Sequence, residues 1–192
     1  MPMESRMYNP VKAAQVIAYL ACKAQSKTLD VLKAIKLVYL ADRESIMRFG
    51  APILDERRVW MPHGPVNSQT YSHINGEHDL DACGWSDYLE DRANHQIAVK
   101  EGVSDDDLDE LSEADIQCLD AVWDKFGHMG KWTLRDWTHE KVNVPEWEDP
   151  QGSSTPIPLE RIMTMVGIEN AAAQAALVEE HNQISHLLQK LA

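Results

Sequence analysis

The chain has 192 residues and carries 18 Lys and Arg against 31 Asp and Glu, a formal net charge of −13. Its hydrophobic share of 44 % is too high for a disordered acidic tail, and a chain this long buries roughly two thirds of its unfolded surface, enough for a core without staples. A pI near 4.9 argues against general nucleic-acid binding, which needs a basic surface.

The first helix is announced by Asn9 as a cap and Pro10 at the first helical position, where no N–H is needed. Val11, Ala14, Ile17, Ala18 and Ala21 then fall on one face. After a polar break at Gln25 to Lys27, a second helix is expected from Thr28 or Asp30. Its stripe reads Leu32, Ile35, Tyr39, Asp42, Ile46 and Phe49, and Gly50 stops it. Asp42 is the odd member. A carboxylate on an apolar stripe must be paired, capped by donors, or functional; the expectation is a paired carboxylate that holds the following loop.

Pro52, Pro62, Gly64 and Pro65 forbid a long helix between Ala51 and Pro65, where Arg58 to Met61 suits a short strand. Val66 to Ile74 reads as a short helix ending near Asn75-Gly76. Asp87 to Glu90 and Gln96 to Val99 read as two short strands of a small hairpin. Next comes the charge. From Asn75 to Asp124 there are 16 acidic and 2 basic residues, a net of −14, so this one segment accounts for the whole imbalance. Its densest part is Asp105, Asp106, Asp107, Asp109 and Glu110, in an acidic insertion over about 100–111. It is either a solvated loop or a surface for a basic partner.

Ser112 and Asp115 resemble a capping box, with Leu111 and Ile116 as its hydrophobic staple. The helix that follows uses Ile116, Leu119, Val122, Trp123 and Phe126 and ends at Gly127. A short helix is expected from Thr133 to about Glu140, a loop from Val144 to Pro156, and a helix from Leu159 to Val166 broken by Gly167. The last helix runs from about Glu169 to Leu191. It has a face of small residues and an apolar seam of Leu177, Ile184, Leu188 and Leu191. The seam packs on its own domain, forms a dimer contact, or receives a partner helix.

The chemistry-bearing motifs are few. Cys22, Cys83 and Cys118 lie far apart, which fits a reducing cytosol and no disulfide framework. The opening MPMESRMYNP has neither an apolar core nor a cleavage site, so no secretory leader is expected, and no apolar run spans a membrane. No phosphate-binding loop, nucleophile elbow, zinc-protease motif or calcium loop is present. His181 and His186, five apart on a helix, point about 140° apart and do not share an ion; no metal site and no cofactor are expected. Asp42 and Glu44, two apart, do not converge on one atom either, so no catalytic residue is nominated. Of six tryptophans, Trp123, Trp132 and Trp137 suit a core. Trp147, between Pro145 and Pro150, suits an exposed hot spot.

One stretch is more than generic. Lys36 to Gln69 reads KLVYLADRESIMRFGAPILDERRVWMPHGPVNSQ. It resembles the signature of the Panacea domain, the family of SocA-like and GepA-like phage-associated proteins: a helix of the type KLLYLADRE, an aromatic-Gly, a proline, an acidic turn and an HGPV element. Phe126-Gly127, the run LRDWTH from Leu134 to His139, Pro145 and Trp147 fit the family's later half. The middle, from about Gly76 to Leu111, is poorly matched.

The resemblance implies a mainly α, compact helical domain with a few short β-strands, here over 1–167, followed by a C-terminal helix over 168–192. It implies a cytoplasmic antitoxin of a bacterial or phage system that neutralises a protein toxin encoded by the adjacent gene through direct binding. A proteolytic adaptor that delivers the toxin to a protease chaperone is the alternative. An enzyme reversing the toxin's modification is another, for which His63, Asp42 and Arg43 form the one cluster to nominate. The signature residues Tyr39, Asp42, Arg43, Gly50, His63, Gly64 and Pro65 are expected to form a scaffold in which Asp42 accepts hydrogen bonds from loop N–H groups near Gly64 or from the His63 ring. Asp105, Asp106, Asp107, Asp109, Trp147, Leu177, Ile184 and Leu188 are the candidate partner contacts.

Overall fold

The structure, a computed structural model, describes residues 8–191. Two helices form its centre. The first, α1 (Pro10–Cys22), starts as expected: the Asn9 side chain accepts the Lys12 N–H, and Pro10 takes the first position. The second, α2 (Val31–Phe49), begins at Asp30, whose carboxylate accepts the Leu32 N–H, and ends on Gly50 at a φ of 72°, a left-handed conformation that glycine adopts without strain. The apolar stripe understates α2: from Ala34 to Asp42 every residue is buried, Lys36 and Asp42 included. The helix is enclosed by α1, by α4 (Glu113–Phe126), α5 (Lys131–His139) and α6 (Leu159–Met165), and by a small sheet.

That sheet is antiparallel and three-stranded, in the order β3-β2-β5, with β2 at Arg58–Met61, β3 at Gly64–Asn67 and β5 at Thr155–Ile157. β2 and β3 make a tight hairpin in which Val59 faces Val66 and Met61 faces Gly64. The expected short helix is therefore shorter, α3 (Ser68–Ile74), because Val66 and Asn67 finish a strand first. β5 lies inside the stretch expected to be loop. Pro156 stands opposite Val59 on the edge of the sheet, where a missing N–H is tolerated.

The hairpin expected over 87–99 forms in part, and a further strand joins it. Gln96–Ala98 forms β4, which pairs with β1 (Thr28–Asp30), a strand not expected at all. The two anticipated segments do pair antiparallel, through the bridge Leu89 to Val99 and the Glu90 N–H on the Ala98 carbonyl, with a further bridge from Ala93 to Gln96, but only Gln96–Ala98 is a strand. Leu29 and Ile97 face each other and are buried, so long-range packing decides this pairing.

The capping box of α4 is present. Ser112 Oγ accepts the Asp115 N–H at 3.2 Å, and Asp115 Oδ2 accepts the Ser112 N–H at 2.9 Å. Asp115 also pairs with Lys12 at 2.8 Å, tying α4 to α1. The acidic segment before it is an ordered loop with a single 3-10 turn at Asp105–Asp107. Buried Leu108 and Leu111 anchor it from behind.

The last helix, α7 (Ala171–Leu191), follows α6 and packs against it. Ala171 and Ala175 are buried in the core, so the small-residue face serves close packing at the helix start. Further along, the apolar seam is uncovered.

Candidate functional site

The signature residues on α2 face inward and form a largely buried polar network along that helix. Lys36, Tyr39 and Arg43 lie three and four apart, on one face. Each reaches a different part of the chain. Lys36 Nζ donates to the Pro65 carbonyl at 2.8 Å, fastening α2 to the hairpin. Tyr39 donates its hydroxyl to Glu146 Oε1 at 2.9 Å, and Arg43 Nε donates to the same oxygen at 2.7 Å. Glu146 is fully buried, so this pairing pins the Pro145–Trp147 segment over the helix.

Asp42 is the hub of a second group. Its Oδ1 accepts the Leu54 N–H at 3.0 Å. Its Oδ2 accepts from Arg58 at 3.0 and 2.7 Å and from Asn67 Nδ2 at 2.8 Å. The expectation of a paired carboxylate holding the next loop matches this geometry, but its partners differ. They are Leu54, Arg58 and Asn67, and not the Gly64 amide or the His63 ring. His63 is exposed at the hairpin turn, about one strand length from Asn67. Arg58 also donates to the Leu54 and Glu56 carbonyls, so each of its three guanidinium nitrogens is engaged. Glu56 accepts from Asn67, from the Gln69 and Thr70 amides, and from the Thr70 hydroxyl at 2.5 Å. This carboxylate caps the start of α3.

Gly64 sits where three of these elements meet, at a φ of 92°. A Cβ there would lie 2.9 Å from the His139 ring, 3.0 Å from Lys36 Nζ and 3.1 Å from Thr138 Oγ1. His139 bridges the same junction. Its ring nitrogens lie 2.7 Å from the Arg135 carbonyl and 3.1 Å from the Pro62 carbonyl, and its ring packs on Trp147 at 4.8 Å.

Burial sets the electrostatics. It pushes the Lys36 ammonium down to about 7, because one carbonyl replaces a full hydration shell. Burial likewise pushes the Glu56 carboxyl up to about 7, against the pull of its Thr70 hydrogen bonds. Tyr39 is raised well above the ordinary phenol value, first by burial and then by the Glu146 charge.

Lys36 yields a pH prediction. Its folded value lies below its unfolded value, so the unfolded chain binds the extra proton and stability from this group rises with pH. The contribution is complete above about 10.5 and is lost as pH falls to about 7. Between pH 7 and 8.5, urea unfolding of the wild type should therefore gain stability relative to Lys36→Met, by at most about 1.4 kcal/mol per pH unit. Parallel curves for the two proteins would contradict the assignment.

The surface candidates are placed as follows. Asp105 and Asp106 are exposed, and so is Asp107, whose carboxyl the Ser104 amide and hydroxyl hold below the usual range. Asp109 is exposed too, but it also accepts Gln15 Nε2 at 2.9 Å, while Glu110 accepts from Asn9. Leu177, Ile184 and Leu188 are each half exposed or more. His181 is exposed beside them, and the His186 side chain lies outside the described set. Trp147 is half-buried against the core, whereas Trp132, expected inside, is 54 % exposed. Arg135 lies 4.8 Å and Lys131 Nζ 5.5 Å from the ring centroid, cation–π contacts that hold the ring at the surface. Among the described residues, no group of three or more His, Cys, Asp or Glu side chains is placed to hold a metal ion.

Residues 35–147 match the family described as antitoxin SocA-like, Panacea domain. This is more than half of the chain. The chain belongs to the SocA-like antitoxin, Panacea-domain family. The match begins one residue before Lys36 and ends on Trp147, so it encloses the whole buried network and runs through the acidic segment. It leaves α1, β5, α6 and α7 outside. No curated protein and no solved structure matches the chain.

The partners that complete the network, Lys36, Glu56, Arg58, Asn67 and Glu146, are not marked as such by the sequence. One signal was available. An acid on an apolar stripe requires a buried donor, and Arg58 lies beside Val59 and Trp60 in a strand whose register buries it.

Proposed function

We propose that this Panacea-domain protein neutralises a cognate protein toxin by binding it directly in the cytoplasm, acting as a binding protein and not as an enzyme. The observation that carries the reading is the family match over 35–147 together with the inward use of its signature. Lys36, Tyr39, Asp42 and Arg43 are spent on holding the chain together, which leaves recognition to the surface. Two surfaces suit a partner. One is the exposed turn of Asp105, Asp106 and Asp107, which would steer a basic partner. The other is the uncovered seam of Leu177, Ile184 and Leu188 on α7. Both lie outside the network, so toxin specificity can change while the scaffold stays fixed. A helix of the described residues long and apolar enough to cross a membrane is absent.

The test is co-expression with the product of the neighbouring gene. That product should arrest growth alone, and this chain should restore growth and co-purify with it. A harmless neighbour that does not co-purify would sink the proposal.

A further inference from the structure

A cleft of about 580 Å³ opens at the N-terminal end of α2, between the hairpin turn, α3, the 92–95 loop and the start of α5. It lies at the opposite end of the signature face from Asp42 and shares none of that network's side chains. Its floor is apolar, made by Leu32, Ile35, Met61 and Val66. Leu32 and Met61 are only half-buried, so part of this floor meets solvent. Trp132 stands on the rim as the large aromatic left most exposed by the fold.

Among the described residues, the rim carries one cation without a carboxylate partner. Arg92, Lys131, His63 and His95 line it, with Asp30 the one acid. Asp30 is already used: Oδ1 accepts the Leu32 N–H and Oδ2 pairs with Lys131 at 2.6 Å. Arg92 is different. Its guanidinium meets Asn75 Oδ1 and the His95 ring, and among the described residues no carboxylate pairs with it. It is one of two basic residues in a segment that carries 16 acids. Arg92 is exposed, and its two contacts leave further N–H groups of the guanidinium for a carboxylate from outside.

We propose that this cleft receives an acidic peptide segment of a partner protein, with one large apolar side chain on the floor and a flanking carboxylate on Arg92. Charge complementarity selects the acid, and the half-exposed floor selects the apolar anchor. Trp and Arg are also the side chains that most often dominate protein–protein contacts. That the occupant is a protein segment rests on the antitoxin reading above. The acidic turn and this cleft then offer charges of opposite sign, which fixes the orientation of a partner as well as its affinity.

The experiment selects binders to the full-length chain from a displayed library of random dodecapeptides. Enriched sequences should place Asp or Glu within a few positions of Leu, Phe or Trp. Their binding should fall about tenfold or more with Trp132→Ala and with Arg92→Glu, the loss typical of a hot-spot side chain. Both residues are exposed, so circular dichroism and melting temperature should be unchanged; should one variant misfold, the other decides. No enrichment, enrichment without acids, or equal binding to both variants would overturn the proposal. So would a wild-type dimer that Trp132→Ala converts to monomer, which would seat a second copy in the cleft. The selection uses no toxin. Failure of the wild type to restore growth in the co-expression assay therefore counts against the antitoxin reading alone.

Discussion

Asp42→Ala should lower the melting temperature by roughly 10 °C, the largest single effect expected in this protein. The substitution removes the acceptor of four hydrogen bonds, from Leu54, Arg58 (two) and Asn67. More important, it leaves the Arg58 guanidinium buried without its counter-charge. Breaking a buried ion pair from one side costs about 3–5 kcal/mol, because the remaining charge is neither solvated nor paired. In a chain of this size each kcal/mol moves the midpoint by about 2–4 °C. The pair itself is a weak source of net stability, so the double variant Asp42→Leu with Arg58→Met should lose less than either partner alone. Thermal melts of the three proteins check this. An Asp42→Ala protein with an unchanged melting temperature and no neutralising activity would instead place Asp42 at the partner interface.

The second large effect is expected at Glu146. Glu146→Ala takes the acceptor from the Tyr39 hydroxyl in the core and the counter-charge from half-buried Arg43. The expected cost is about 2–4 kcal/mol in urea unfolding, with the slope against urea unchanged. Glu146→Gln keeps an acceptor of the same shape and should lose less than half as much. Tyr39→Phe removes only the donor and should be the mildest of the three. A cost below about 0.5 kcal/mol for Glu146→Ala would mean that the Pro145–Trp147 segment is held by Trp147 packing on His139 and not by the buried carboxylate.

How far the sequence carries can be seen at particular residues. Helix starts are legible because capping is local. Asn9-Pro10, Asp30 and the Ser112–Asp115 pair announce themselves within four residues, and each forms in the fold. Strands were harder. Arg58–Met61 was readable from its own residues. By contrast, Thr28–Asp30 becomes a strand only because Gln96–Ala98 comes to lie beside it, and Thr155–Ile157 because β2 offers an open edge. Three-residue strands carry no periodicity of their own.

The same limit applies to the site. That Asp42 needs partners follows from its position on an apolar stripe. Which partners it has depends on a hairpin that brings Arg58 and Asn67 opposite each other, a register relation invisible in a linear reading. Trp132 shows the opposite failure. An aromatic near a helix start reads as core, but Lys131 and Arg135 pack on the ring and it stays at the surface.

In this chain the buried signature residues hold α2 in place, and we propose that recognition lies elsewhere, in stoichiometric binding of a protein toxin. The most direct measurement titrates the activity of the purified neighbouring gene product against this chain. The account predicts a linear fall to zero activity at a one-to-one ratio, with a single complex of the summed mass. Full neutralisation at a small fraction of one equivalent would point to catalysis, and unaltered toxin activity at a large excess would contradict the account outright.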